Sequence, residues 1–163
     1  MSLVNRLFPT ILGSLMMIGV GAFAPAVGAA EMPYPGTEVI KTPFGFKALH
    51  QRLEAAIEKN KVFVVTRASA SAGAKGRGIT IPGNLVIGVY RNDFAVRMLK
   101  ASVPAGIEAP LRFYLTENAD KTATLTYRKP SAVFKSYGSK DLDALAAELD
   151  GIWAGIVKDT LKK

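Results

Sequence analysis

The chain reads as an α+β domain, a mixed sheet in the order β-α-β-β-α-β-β with helices packed on it and one further helix at the C-terminus. Three observations predict this. Leu111, Phe113 and Leu115 alternate with Arg112, Tyr114 and Thr116; after Glu117-Asn118-Ala119-Asp120-Lys121, Thr122, Thr124 and Thr126 alternate with Ala123, Leu125 and Tyr127. A period of two on either side of an Asn/Asp-bearing loop is a hairpin. Leu85, Val86, Ile87 and Val89 form a near-continuous apolar run, the pattern of a central strand covered on both faces, spanning Asn84 to Tyr90. Phe46, Leu49, Leu53 and Ile57 recur at helical spacing, as do Leu142, Leu145, Leu149, Ile152, Trp153, Ile156 and Val157.

The N-terminus reads as a secretory leader over residues 1–30. Arg6 precedes an uncharged apolar segment from Leu7 to Val20, and small residues follow up to Ala26-Val27-Gly28-Ala29-Ala30, before the first acid, Glu31. Cleavage is expected near Ala29-Ala30, which makes the protein exported, periplasmic or else secreted. The alternative is an uncleaved anchor, for which the Gly-broken run is short against the ~20 residues a spanning helix needs. Residues 31–36, with Pro33, Tyr34 and Pro35, read as a spacer, and 37–163 as a single domain.

Glu38 to Lys41 suits a short first strand. Thr42 before Pro43 has the form of an N-cap with proline at the first helical position, opening a helix that ends near Asn60. Val62 to Thr66 is β-branched and aromatic, a second strand. From Arg67 to Gly83 the composition turns loop-like. Asn92 or Asp93 can cap a helix carrying Phe94, Val96, Leu99 and Val103, and Pro104 and Gly106 stop it. After the hairpin, Pro130 starts a short helical turn through Phe134 and Tyr137. The last helix runs from about Asp141 to Leu161, its acids at the start and Lys158 near the end complementing the helix dipole. Gly151 and Gly155 in it allow another backbone to approach closely.

Without its leader the chain carries twenty basic against thirteen acidic side chains, +7, and it contains no cysteine. That excludes a disulfide scaffold, thiolate metal sites and thiol redox chemistry. His50 is the only histidine, so neither a His-based metal triad nor a Ser-His-Asp arrangement can be assembled within one chain. At the edge of an apolar helix face, His50 reads as a partly buried residue with one hydrogen bond. The alternative is a pH-sensing or dimer-interface residue. Asp141 and Asp143 diverge on a helix and are better explained as helix-start residues. Glu108, Glu117 and Asp120 sit at loops. An exported destination argues against nucleic acid as a partner and for weak attraction to an anionic envelope.

The stretch Ser102 to Arg112, followed by a hairpin whose second strand ends Tyr127-Arg128-Lys129-Pro130, resembles the bacterial and archaeal family known as domain of unknown function 302. The resemblance covers roughly residues 37–134, leaving the last helix outside. It implies a compact, dimeric α/β domain and brings no established reaction. Where members often carry Asp-His after the second strand, this chain has Ala68, Ser69 and Ala70. Where they often carry Gly-Asn-Pro after the central strand, it has Tyr90-Arg91-Asn92. A titratable member of any family pocket is therefore missing.

The candidate ligand-binding residues are Ser69, Lys75, Arg77, Tyr90, Tyr127 and Arg128. Lys75 and Arg77 lie in Gly73-Ala74-Lys75-Gly76-Arg77-Gly78, a glycine-rich run that can cradle an anion or form a plain surface loop; it lacks the Gly-Lys-Ser/Thr ending of a P-loop. Tyr127 and Arg128 belong to the densest basic cluster, with Lys129, Lys135 and Lys140. No catalytic residue, metal or cofactor is expected. The reading is an exported, non-enzymatic binding or accessory domain for a small-molecule, lipid-like or protein ligand, with a homodimer possible. Its alternatives are a metal-independent enzyme using Tyr127, Arg128, Ser69 or Glu108, and a protein that binds the anionic envelope.

Overall fold

The computed structural model describes residues 34–162. The leader, residues 31–33 of the spacer and Lys163 lie outside them. Five strands make one sheet: β1 (Thr37–Gly45), β2 (Phe63–Ala68), β3 (Asn84–Tyr90), β4 (Leu111–Glu117) and β5 (Thr122–Arg128). Their order is β1-β5-β4-β3-β2. Every neighbouring pair is antiparallel, so the sheet is not mixed, and its middle strand is β4 rather than β3. The connection from β3 to β4 explains both points. It brings the chain back to the end it left, with Leu111 opposite Val89, whereas a parallel pairing needs a crossover to the far end.

The helices are α1 (Phe46–Lys59), α2 (Ala70–Lys75), α3 (Asn92–Ala101), α4 (Pro130–Phe134) and α5 (Lys140–Leu161). Short 3-10 turns cover Val103–Glu108 and Lys135–Tyr137. Cross-strand register places Leu85, Leu115, Leu125 and Ile40 in one row of the sheet and Ile87 beside Phe113 in the next. These side chains form one core with Leu49, Leu53 and Ile57 of α1 and with Leu142, Leu145, Trp153 and Ile156 of α5. Trp153 stacks on Phe113 with ring centroids 5.6 Å apart and planes 14° from parallel. The last helix therefore packs on its own sheet. Full burial of each large side chain contributes roughly 1.5–3 kcal/mol.

Both long helices lie on that one face. The opposite face carries Val39, Thr126, Tyr114 and Val86 in a single cross-strand row and stays open, with Val39 49 % and Tyr114 40 % exposed. β3 is accordingly covered by the long helices on one side only, its continuous apolar run notwithstanding; on the other, Gly88 is buried beneath Pro110.

Three local expectations change. Thr42 and Pro43 belong to β1, which runs on to Gly45, and α1 starts at Phe46. The buried Thr42 hydroxyl donates to the Ala123 carbonyl at 2.7 Å, so pairing with β5 outweighs the local Thr-Pro start signal. In α3 the inward residues are Phe94, Ala95 and Met98, while Val96 and Leu99 point outward; Val103 lies beyond its end in the 3-10 turn, 73 % exposed. The loop-like stretch after Arg67 holds α2, capped by Ser69, whose hydroxyl accepts from the Ala72 amide at 3.1 Å. Of the two glycines in α5, Gly155 is the close-packed one: a β-carbon there would meet Asn60 Oδ1 at 2.6 Å, while one at Gly151 would meet nothing. What it admits is the side chain of Asn60, the residue that ends α1 in the same chain.

Candidate functional site

Two concavities differ sharply in character. Under α3 lies an apolar crevice of about 40 Å³ among Val62, Val89, Phe94, Met98, Leu149 and Trp153, with Tyr90 and Arg91 at its edge. It is a gap in the core, with room for little more than a water or two. On the open face of the sheet lies a concavity of about 250 Å³, lined by Tyr34, Thr37, Val86, Glu108, Leu111, Arg112, Tyr114, Thr126, Tyr127, Arg128 and Val133. Charge, aromatic surface and hydroxyls meet there.

The sheet builds this site by alternation. Tyr114 and Thr126 face each other across β4 and β5, and Val86 faces Tyr114 from β3. Because side chains alternate along a strand, Arg112 and Arg128 emerge on the same face, one step beyond the Phe113–Tyr127 pair. The segment leading into β4 forms one wall. Its Pro110 packs on Gly88, where a β-carbon would come within 2.7 Å of Pro110 Cγ and 2.2 Å of Thr66 Oγ1. Only glycine at position 88 lets the segment lie this close to the sheet. Glu108, in the same wall, accepts a hydrogen bond from the Tyr137 hydroxyl at 3.0 Å.

The spacer contributes as well. The Gly36 carbonyl accepts from the Lys129 amide at 2.8 Å, and Tyr34 lies under Arg128, whose guanidinium carbon is 4.9 Å from the ring centroid. That distance is within cation–π range. Residues 34–36 are therefore part of the site's rim.

Arg128 is the unusual member. Its Nε is buried and has no hydrogen-bond partner. Leaving a buried donor unsatisfied costs about 1–3 kcal/mol, more for a charged group. Among the described residues, Arg52, Arg67, Arg91 and Arg97 all have hydrogen-bond or ion-pair partners, whereas neither Arg112 nor Arg128 forms an ion pair. Tyr127 also borders the concavity, although it pairs with Phe113 on the covered face, ring centroids 5.5 Å apart. Burial first, then the charge of Glu38, pushes its phenol above the usual tyrosine range. It stays protonated at ordinary pH, suited to donating a hydrogen bond and poorly suited to taking a proton.

Of the residues singled out in the sequence, the structure brings Tyr127 and Arg128 together and adds Glu108. Tyr90 borders the core crevice instead. Ser69 caps α2, and Lys75 and Arg77 are exposed side chains at that helix's end. The amides of Gly73, Gly76, Arg77 and Gly78 each donate to a carbonyl of Ser69 to Lys75, so they are committed to the helix and its turn. His50 Nε2 lies 2.9 Å from Glu54 Oε1, the single hydrogen bond expected of it, and Arg67 reaches the same carboxylate at 2.6 Å. Among the described residues no three His, Cys, Asp or Glu side chains gather where a metal could be held. Sequence reading missed Tyr34, Arg112, Tyr114 and Thr126. The alternation of the hairpin held the signal for the last three, since it put them all on its polar face.

Together these features define a two-layer α+β domain, with helices on one face of an antiparallel sheet and a cationic, tyrosine-walled concavity on the other. The family model described as domain of unknown function DUF302 matches residues 38–158, and the chain belongs to that family. The match reaches far into α5, so the last helix is part of the family domain rather than an addition outside it. Among solved structures, the chain is similar to an uncharacterized conserved DUF302 protein from Bacillus stearothermophilus. That crystal structure is 16 % identical, with a TM-score of 0.69 over 77 % of this chain and 98 % of the other. At that identity the likeness speaks for the fold alone. No curated protein matches the chain.

Proposed function

We propose that the protein is an exported, non-enzymatic binding domain whose ligand sits in the concavity on the open sheet face. The observation that carries this reading is Arg128, whose Nε is buried without a hydrogen-bond partner, beside Arg112, which likewise forms no ion pair among the described residues, and the exposed Tyr34 and Tyr114. A site with a few convergent polar groups and apolar walls is the usual form of a small-molecule site, and at about 250 Å³ this one suits a small ligand. Burial first, then Glu38, holds the Tyr127 phenol protonated, a form that can donate a hydrogen bond. Export rests on the leader at 1–30.

The test is native mass spectrometry of protein purified without denaturation from the exported fraction, together with sequencing of its N-terminus. A mature chain beginning near Glu31 and carrying a small-molecule adduct is expected. An intact Met1 overturns export, and a protein that is always empty counts against binding.

The +7 charge supports a second, weaker reading, attraction to an anionic envelope surface. Exposed charges are screened by salt, so such binding is expected to vanish between low and physiological ionic strength.

A further inference from the structure

We infer that the ligand is a small organic monocarboxylate with a flat or apolar body, its carboxylate held by Arg128 and Arg112. The inference rests on the reading that the open-face concavity is a binding site, and it names the chemistry of that ligand.

Arg112 and Arg128 project side by side from neighbouring strands, one step past the Phe113–Tyr127 pair. Like charges at such positions repel, a cross-strand arrangement that destabilises a hairpin unless something of opposite sign lies between them. Glu108 does not form an ion pair with either arginine; its carboxylate is engaged by the Tyr137 hydroxyl. The concavity thus lines up two positive charges and one negative charge. One further negative charge neutralises it, and a doubly charged group would be left facing Glu108. A guanidinium presents parallel N–H donors that match the two oxygens of a carboxylate. Arg128 and the exposed Arg112 both line the concavity and form no ion pair among the described residues, so their forks are the donors such a carboxylate would meet.

The remaining walls specify the body. Tyr34 and Tyr114 offer aromatic faces, and Val86, Leu111 and Val133 line apolar surface between and below them. A planar or aliphatic group can lie there while Thr126, between Val39 and Tyr114, supplies a hydroxyl. A polyphosphate would bring more negative charge than two arginines and one glutamate balance.

The test is titration of the purified ¹⁵N-labelled protein at low salt with phenylacetate, with its neutral counterpart phenylacetamide, and with phenyl phosphate, following backbone amide shifts. Phenylacetate is expected to move the amides of Arg112, Tyr114, Thr126 and Arg128 and to bind at least about tenfold more tightly than phenylacetamide, since charge-assisted bonds are the stronger ones. Arg128→Lys keeps the charge and loses the fork, and it should weaken phenylacetate without affecting phenylacetamide. Arg112→Gln alters an exposed side chain and should do the same even if Arg128→Lys folds poorly. Equal affinity for acid and amide at these amides overturns the charge assignment and leaves the binding site standing. Tighter binding of phenyl phosphate overturns the single-charge assignment. Shifts confined to other parts of the chain, or none with any probe, overturn both the inference and the site.

Discussion

The two faces of the sheet are made by the same strands and have opposite chemistry. On the covered face Phe113, Leu115 and Leu125 are fully buried, and the rings of Phe113 and Trp153 stack. On the open face, one residue away along each strand, Arg112, Tyr114, Thr126 and Arg128 line a concavity with a guanidinium nitrogen left unsatisfied. The difference teaches how a hairpin divides its labour. One set of alternate residues is spent on stability, and the other is free to carry a site, because replacing it disturbs little of the core.

The comparison breaks most easily at neighbouring positions. Phe113→Ala should cost about 3–5 kcal/mol in urea unfolding, the usual range for removing a buried phenylalanine. Tyr114→Ala, next in the chain but on the open face, should cost no more than about 1 kcal/mol, as most exposed substitutions do. Equal losses would erase the distinction between the faces. Gly88→Ala should cost about 1–3 kcal/mol, because its β-carbon meets Thr66 Oγ1 and Pro110 and forces the wall of the concavity outward. Thermal unfolding measures the loss, and amide shifts at Arg112 would report the displaced wall.

Away from both faces the effects shrink. Ser69→Ala removes the cap of α2 and should lose about 1 kcal/mol, read as faster amide exchange at Ala72 and Gly73. Glu54 is held below its ordinary value of 4.5, first by the hydrogen bond from Arg67 and less by His50, with burial opposing. The same bond pushes Arg67 upward, so the two partners agree in sign. A carboxylate depressed in the folded state adds stability above its unfolded pKa and loses it as pH falls through its folded one. Stability should therefore fall below about pH 4.5 more steeply in the wild type than in Glu54→Gln, by less than about 1 kcal/mol because the pair is partly exposed.

The elements were largely legible from periodicity. The hairpin alternation, the helical spacing of Leu49, Leu53 and Ile57 and the face of the last helix all correspond to what is buried. Strand order was not, since pairing depends on where a connection returns and no local pattern records that. The apolar run Leu85 to Val89 misled for a related reason: Val86 points to the open face, where Tyr114 and its neighbours supply apolar surroundings without a covering helix. In α3 two apolar stripes compete, and only packing shows that Phe94, Ala95 and Met98 take the core. A smaller part of the candidate site was visible, as the Tyr127-Arg128 cluster. Glycines drew attention to Lys75 and Arg77, but their amides serve a short helix, and a hydrogen-bond inventory of that kind cannot be read from residue types.

Thr126→Trp tests the division between the two faces most directly, with stability and ligand retention measured on the same sample. Thr126 lies in the middle of the open face, between Val39 and Tyr114, and an indole there fills the concavity without touching the core. The expected result is an unfolding free energy within about 1 kcal/mol of the wild type and loss of the adduct seen by native mass spectrometry. An adduct that survives the tryptophan, in a protein equally stable, would place the ligand elsewhere and contradict the account.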